Sequence, residues 1–564
     1  MTLEYADTRE MQRHLFAELS TMFAREVPLY DKSLEVNLRC NCTVARMLSR
    51  LHGGFRVSDE ELSATSGERH GAIRIGREDE FRWISRYFAC FGMEPHNFYD
   101  MTSVGAKSQP VIATAFRSRN EPENRIFASL LRTDGFDAST RERIDALLSQ
   151  RQVFSERAMA LIERCEVQGG LDFEDAMDLV REGIQRIFGW TGEARGRELY
   201  EDLCRDGLKI AADIACFSSH HLNHLTPNTL CIDLYSTAMR WQLGLIARGE
   251  FVQNAAGALA QTARIADAHW MLLHFRWLRH DDVKAFVRDD VRPRDIHDLA
   301  SALAEALETD DLRLWELDHN GYKDATEGPD CGTQILLRQD AYRALSEPVR
   351  FIDEQPAAEG SHTARFGEIE QRFYATTPRG RDLYNGCLAL QEAEARIDAG
   401  GASDAPGPPK KRFAPFPGSL LGLLEEQLVY AVYEPVPGAS YTDVDRAGTV
   451  DAVELVRHGV LRCKGIRYED FLPASAAGIF ASNLEQYGTA TESGDRDVYE
   501  QSDLERILGR EIVDTDAAYR AEQAISLLDA YASLGVLDRL PDHRLGELER
   551  EAHGIGEGVG GVLA

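Results

Sequence analysis

The chain has 564 residues, 43% hydrophobic and 28% charged, the balance of a globular protein with chain enough for a large core and several domains. Its formal net charge of −30 argues against binding nucleic acid or an anionic membrane, because both require basic patches that displace counterions. The opening MTLEYADTREMQRHLF has acidic residues and no apolar leader, no run nears a membrane span, and ten cysteines contain no CxxC pair; these features predict a soluble cytoplasmic protein with reduced thiols, acting on a small molecule.

In chain order, residues 7–52 read as helices, with Met11, Leu15, Leu19 and Phe23 at four-residue spacing and Leu34, Leu38, Ala45 and Leu48 continuing an apolar face after Pro28. The stretch ERHGAIRIG leads into a helix from about Glu78 to Phe91, closed by Gly92, and its His70 and Arg74 are four apart, a spacing that puts them on one side. PVIATAFRSRNEPENRIFASLLR reads as two strands around a polar turn, and residues 137–210 are helical in pattern. Three histidines follow within five positions, His220, His221 and His224; the first and last share a face, and His221 does not share the strand face.

Residues 237–322 form a long Ala- and Leu-rich helical block in which His269, His274 and His280 sit among aromatics as core or interface residues. CGTQILLRQDAYRALSEPVRF returns to strand character and leads to Ser361–Arg372, which alternates like a half-buried strand. In it, Glu368 and Glu370 are two apart and so point the same way. Beyond lie a Pro-rich loop at 402–417, a buried apolar segment, a stretch rich in small residues and aromatics at 465–488, a helix containing AAYRAEQAISLLDAYASLG, and a Gly-rich tail expected to be disordered. The expected division is 1–236, 237–322, 323–400, 401–418, 419–545 and 546–564, with 237–322 a distinct helical block. Two histidines and one carboxylate, drawn from the segments around His70, His224 and Glu368, make the ligand set of a non-haem Fe(II) oxygenase.

HGAIRIG, NHLTPNTLCID, LLRQDAYRALSEPVRF, HTARFGEIEQR and YEDFLPASAAGIF, in this order, resemble the 2-oxoadipate dioxygenase/decarboxylases, or 2-hydroxyglutarate synthases, of the vicinal-oxygen-chelate superfamily. The resemblance covers residues 15–230 and 330–535, and so implies that 237–322 is a helical insertion in a catalytic domain. It implies an α+β fold: a curved mixed sheet of βαβββ modules wrapped by helices. It further implies Fe(II) held by His70, His224 and an acid of FGEIEQR, taken as Glu368 with Glu370 the alternative, and a substrate site with His70, Arg74, Ala474 and Ser475. Ala474 stands where the family commonly has Val, and Asn228 and Cys231 where it commonly has Arg and Asp. The implied reaction takes 2-oxoadipate and O2 to 2-hydroxyglutarate and CO2, as in lysine catabolism, with no second 2-oxo acid. The residues alone leave two other readings open: a metal-dependent isomerase or lyase on the same sheet, and a non-enzymatic scaffold that uses the helical block as its partner surface.

Overall fold

In the computed structural model, the described residues are 5–102, 109–119, 122–317, 322, 328–330, 332–342, 345–388, 413–471 and 499–553. Helices α1 (Thr8–Glu26) and α2 (Pro28–Leu51) precede strand β1 (Glu68–Ile75), helix α3 (Glu78–Cys90), and strands β2 (Glu94–Asp100), β3 (Val111–Arg117) and β4 (Arg125–Leu131). With β5 (His224–Pro227) they build a five-stranded mixed sheet of order β2-β3-β4-β1-β5. β1 runs parallel to β4 and antiparallel to β5, and the β2-β3-β4 meander is antiparallel. β1-α3-β2-β3-β4 is therefore the expected βαβββ unit.

Alternation along β1 sorts its side chains. Ile73 and Ile75 enter the main core with α1, α2 and α3, whereas Ala72 belongs to the smaller core on the other face. His70, Ala72 and Arg74 share that second face. Registered neighbours in the ladder also share a face, which brings Arg125 and Thr226 beside His70, and Phe127 and His224 beside Ala72. Gly71 is the close approach in this arrangement: a Cβ there would lie 3.0 Å from the His224 carbonyl oxygen.

A second group of strands completes the site. β6 (Leu337–Ala341) pairs antiparallel with β9 (Glu368–Arg372), and β7 (Ser346–Phe351) with β8 (Ala358–Thr363). The Thr229 N–H donates to the Glu370 carbonyl at 2.8 Å, and Asn228 bridges Glu370 in parallel, so β9 lies alongside the end of β5. Asn37 and Asn41 of α2, both buried, hold this junction by donating to the Asn228 carbonyl at 3.0 and 3.3 Å.

The helical block comprises α4 (Ile232–Gln242), α5 (Arg248–Ile265), α6 (Ala268–His274) and α7 (Pro293–Leu307). It is continuous with the main core: Phe251, Leu259, Trp270 and Leu303 lie in one buried cluster with Leu15, Phe23 and Val44. His274 stacks on Trp270 at 3.9 Å, as expected of a packing histidine. The C-terminal part is a hairpin of β10 (Ala431–Pro435) and β11 (Leu461–Gly465) backed by α8 (Thr515–Leu534) around a second core. Arg462 ties it to Asp281 of the block at 2.7 Å. Among the described residues no helix is long and apolar enough to cross a membrane, and none of the nine described cysteines is disulfide-bonded.

Candidate metal centre

His70 on β1, His224 at the start of β5 and Glu368 at the start of β9 converge on one buried point, their potential ligand atoms all within 4.8 Å of one another. Glu368 Oε2 lies 3.3 Å from His70 Nε2 and 3.8 Å from His224 Nε2, and it accepts a hydrogen bond from the Thr226 hydroxyl at 3.0 Å. All three side chains are at most 5% exposed. Phe366 stacks on the His224 ring and Phe471 meets the His70 ring edge-on, each at 4.8 Å, so the walls of the site are apolar.

These residues suit a divalent metal. Burial pushes the His224 pKa down to about 4, which leaves a neutral imidazole with a lone pair to donate. Glu368 Oε1 is buried and has no hydrogen-bond partner among the described residues. Two imidazoles and a carboxylate form a donor set for first-row divalent ions.

The second carboxylate of the strand does different work. Glu370 is fully buried, lies 3.0 Å from His70 Nδ1, and accepts from Arg125 at 2.9 Å and from Arg372 at 2.5 and 2.9 Å. Burial alone would raise its pKa, but Arg372, His70 and Arg125 outweigh it and hold the carboxyl well below the usual range. A carboxylate on the far nitrogen of a ligating histidine fixes its tautomer and ring orientation.

Arg74 points into the same face but does not stand by itself. Its Nη1 donates to Asp213 at 2.5 Å, and the other oxygen of Asp213 lies 3.0 Å from His221 Nε2 and 2.7 Å from His362 Nε2. The Tyr200 hydroxyl is 2.9 Å from His362 Nδ1. Asp213, His221 and His362 form a second buried cluster of potential ligand atoms, but the guanidinium of Arg74 already supplies the cation this carboxylate needs. The pattern of the sequence pointed neither to Asp213 nor to His362. One sign was there to read: Asp213 is the lone acid in KIAADIAC, an otherwise apolar helix apart from its first residue, and a buried acid requires a partner.

The histidine-rich segment therefore divides three ways. His220 lies 3.5 Å from Glu80, which is paired with Arg151, His221 meets Asp213, and His224 joins the cluster with His70 and Glu368. Ala474 and Ser475 lie outside the described residues.

A family model for 2-oxoadipate dioxygenase/decarboxylase matches residues 15–282 and 300–483. The chain belongs to the 2-oxoadipate dioxygenase/decarboxylase family. A member from Pseudomonas putida is 32% identical over 545 residues, which is 93% of this chain and 97% of the relative. One from Escherichia coli is 30% identical over 522 residues, 91% of this chain and 95% of the relative. The crystal structure of the hydroxyglutarate synthase in complex with 2-oxoadipate from Pseudomonas putida matches with a TM-score of 0.63 at 30% identity, covering 94% of this chain and 99% of that one. The family match runs through 237–282 and resumes at 300, so most of the block expected to be an insertion lies inside 2-oxoadipate dioxygenase/decarboxylase sequence.

Proposed function

We propose that this chain converts 2-oxoadipate and O2 to 2-hydroxyglutarate and CO2, with Fe(II) held by His70, His224 and Glu368. The observation that carries the reading is the meeting of these three donors, from segments far apart in sequence, in one buried cluster whose remaining carboxylate oxygen has no donor among the described residues. Fe(II) bound there supplies the redox chemistry by which O2 reacts with a closed-shell 2-oxo acid.

The chain's own groups supply orientation and charge. Glu370 holds His70 from behind and the Thr226 hydroxyl holds Glu368, so the donors are set before anything binds. Arg74 follows His70 on one strand face at roughly 13 Å between Cα atoms, from about 3.3 Å per residue, a span that fits a six-carbon dicarboxylate with one end beside His70. Its guanidinium carries five N–H donors in a planar fork, and Asp213 orients that fork by accepting from Nη1 at 2.5 Å, so that a guanidinium of fixed orientation stands where the distal carboxylate would lie. Phe127, Phe366 and Phe471 exclude water from the reacting end. Ala474 and Ser475 are assigned to substrate contact on the family pattern.

The test is O2 uptake by Fe(II)-loaded protein with 2-oxoadipate, with 2-hydroxyglutarate and CO2 measured in parallel. Equal amounts of O2 consumed and of each product formed are expected. Absence of uptake with Fe(II) and reductant present overturns the dioxygenase reading, and metal-dependent turnover without O2 replaces it with an isomerase or lyase.

A further inference from the structure

A cavity of about 590 Å³ opens where the far end of the main sheet meets β11 and α8. Arg117, Arg119, Arg276, Lys464 and Arg467 line it, against the carboxylates of Glu469 and Glu522. None of its lining residues belongs to the His70, His224 and Glu368 cluster. In a chain of net charge −30, this convergence of cations runs against the composition.

The cations fall into two groups. Arg117 is neutralised by Asp470 at 3.0 Å and Arg119 by Glu94. By contrast, Glu469 is shared by three guanidinium groups: Arg276, Arg467 at 3.6 Å, and the fully buried Arg125 at 2.6 Å behind it. Arg276 also reaches Glu123 at 2.5 Å. Arg467 is only 9% exposed, and its Nε has no hydrogen-bond partner among the described residues. Burial, reinforced by Arg276 and Arg69 and opposed by Glu469, pushes its pKa down to about 9. Lys464 is likewise lowered, by burial and then by Arg276 and Arg467, while burial raises the pKa of Glu522 toward its neutral form. Positive charge is thus crowded in a partly dry space with too little negative charge to balance it.

We propose that this cavity binds a small dianion, of the dicarboxylate or phosphate class, between Arg276, Lys464 and Arg467. Such a ligand supplies negative charge beyond that of Glu469 and Glu123, which Arg125, Arg276 and Arg467 already share, and a guanidinium fork beside an ammonium suits an oxyanion with several acceptor atoms. The site is separate from the metal cluster yet linked to it by contacts already described, since Glu469 holds Arg125, Arg125 holds Glu370, and Glu370 lies on His70.

The test is calorimetric titration of the full-length, metal-loaded protein at fixed ionic strength, with inorganic phosphate and succinate titrated separately. Saturable one-to-one binding of at least one probe is expected, and the probe that binds identifies the chemical source. Lys464→Gln, which changes a half-buried side chain, is expected to weaken binding roughly tenfold or more through loss of one charge-assisted contact. Glu522→Gln is expected to tighten it, and Arg74→Gln to leave it unchanged. The proposal is overturned if neither probe binds, if Lys464→Gln binds like the native protein, if Glu522→Gln binds no more tightly, or if Arg74→Gln abolishes binding, which places the probe at the metal cluster instead.

Discussion

Replacing Glu370 by Gln should destabilise the protein far more than replacing Glu368, although the two carboxylates share one face of one strand. Glu370 is the anion for Arg372 and shares Arg125 with Glu469, both arginines have no exposed surface, and Glu370 receives three guanidinium hydrogen bonds of 2.5 to 2.9 Å. A Gln keeps the shape but removes the charge, and leaving a buried cation without its partner costs about 3–5 kcal/mol. Among the described residues Glu368 meets the Thr226 hydroxyl at 3.0 Å and the His70 and His224 imidazoles at 3.3 and 3.8 Å, and its other oxygen has no donor, so Glu368→Gln should leave the metal-free protein within about 1 kcal/mol of native. Metal binding should show the opposite order. Glu368→Gln removes one of the three proposed ligands and should abolish binding, whereas Glu370→Gln loosens only the support of His70 and should weaken it about 10- to 100-fold. Urea unfolding of the metal-free variants and metal titration of the folded ones measure both quantities. If Glu370→Gln unfolds with native stability and loses all metal while Glu368→Gln retains it, the two roles are exchanged and the reasoning is refuted.

Arg74→Ala should retain iron but lose roughly 10- to 150-fold in kcat/KM for 2-oxoadipate, the equivalent of about 1.5–3 kcal/mol for one charge-assisted contact, and Arg74→Lys should recover only part; near-native kcat/KM in Arg74→Ala would falsify its distal-carboxylate role. Trp270→Ala, in the core that the helical block shares with α1 and α2, should cost about 3–5 kcal/mol in urea unfolding, and a loss below about 1 kcal/mol would mean that the block packs independently. Burial pushes the pKa of His96 down to about 4 and that of His274 to about 3, below the unfolded value of about 6.5. The unfolded chain therefore binds more protons between those limits, and stability is lost as pH falls below about 6.5. Each residue should account for about 1.4 kcal/mol between pH 7.5 and 5.5. In His274→Phe the proton uptake on unfolding over that interval should fall by about one; an unchanged pH slope would show that His274 is protonated in the folded state.

The sequence by itself determined the local elements and the chemistry of the donors. Four-residue spacing specified α1 and α2, and the polar turn between apolar runs specified β3 and β4, because hydrophobic period and turn residues act over a few residues. Alternation placed His70 with Arg74 and Glu368 with Glu370 on common faces, and His70, His224 and Glu368 do come together in one cluster. What alternation could not do was tell the two acids apart, since a face is all that a period of two specifies. Their roles were decided by what stands opposite: Arg125 and Arg372 take Glu370, whereas the Thr226 hydroxyl and two imidazoles meet Glu368. The same holds for Arg74, whose partner Asp213 comes from a helix 139 residues away in sequence. Likewise, the helical block read as an insertion because the family resemblance skipped it, and only the packed molecule gives its apolar face a destination against α2. Burial and charge pairing across long sequence separations are properties of the assembled core, and no local pattern encodes which partner a buried group will meet.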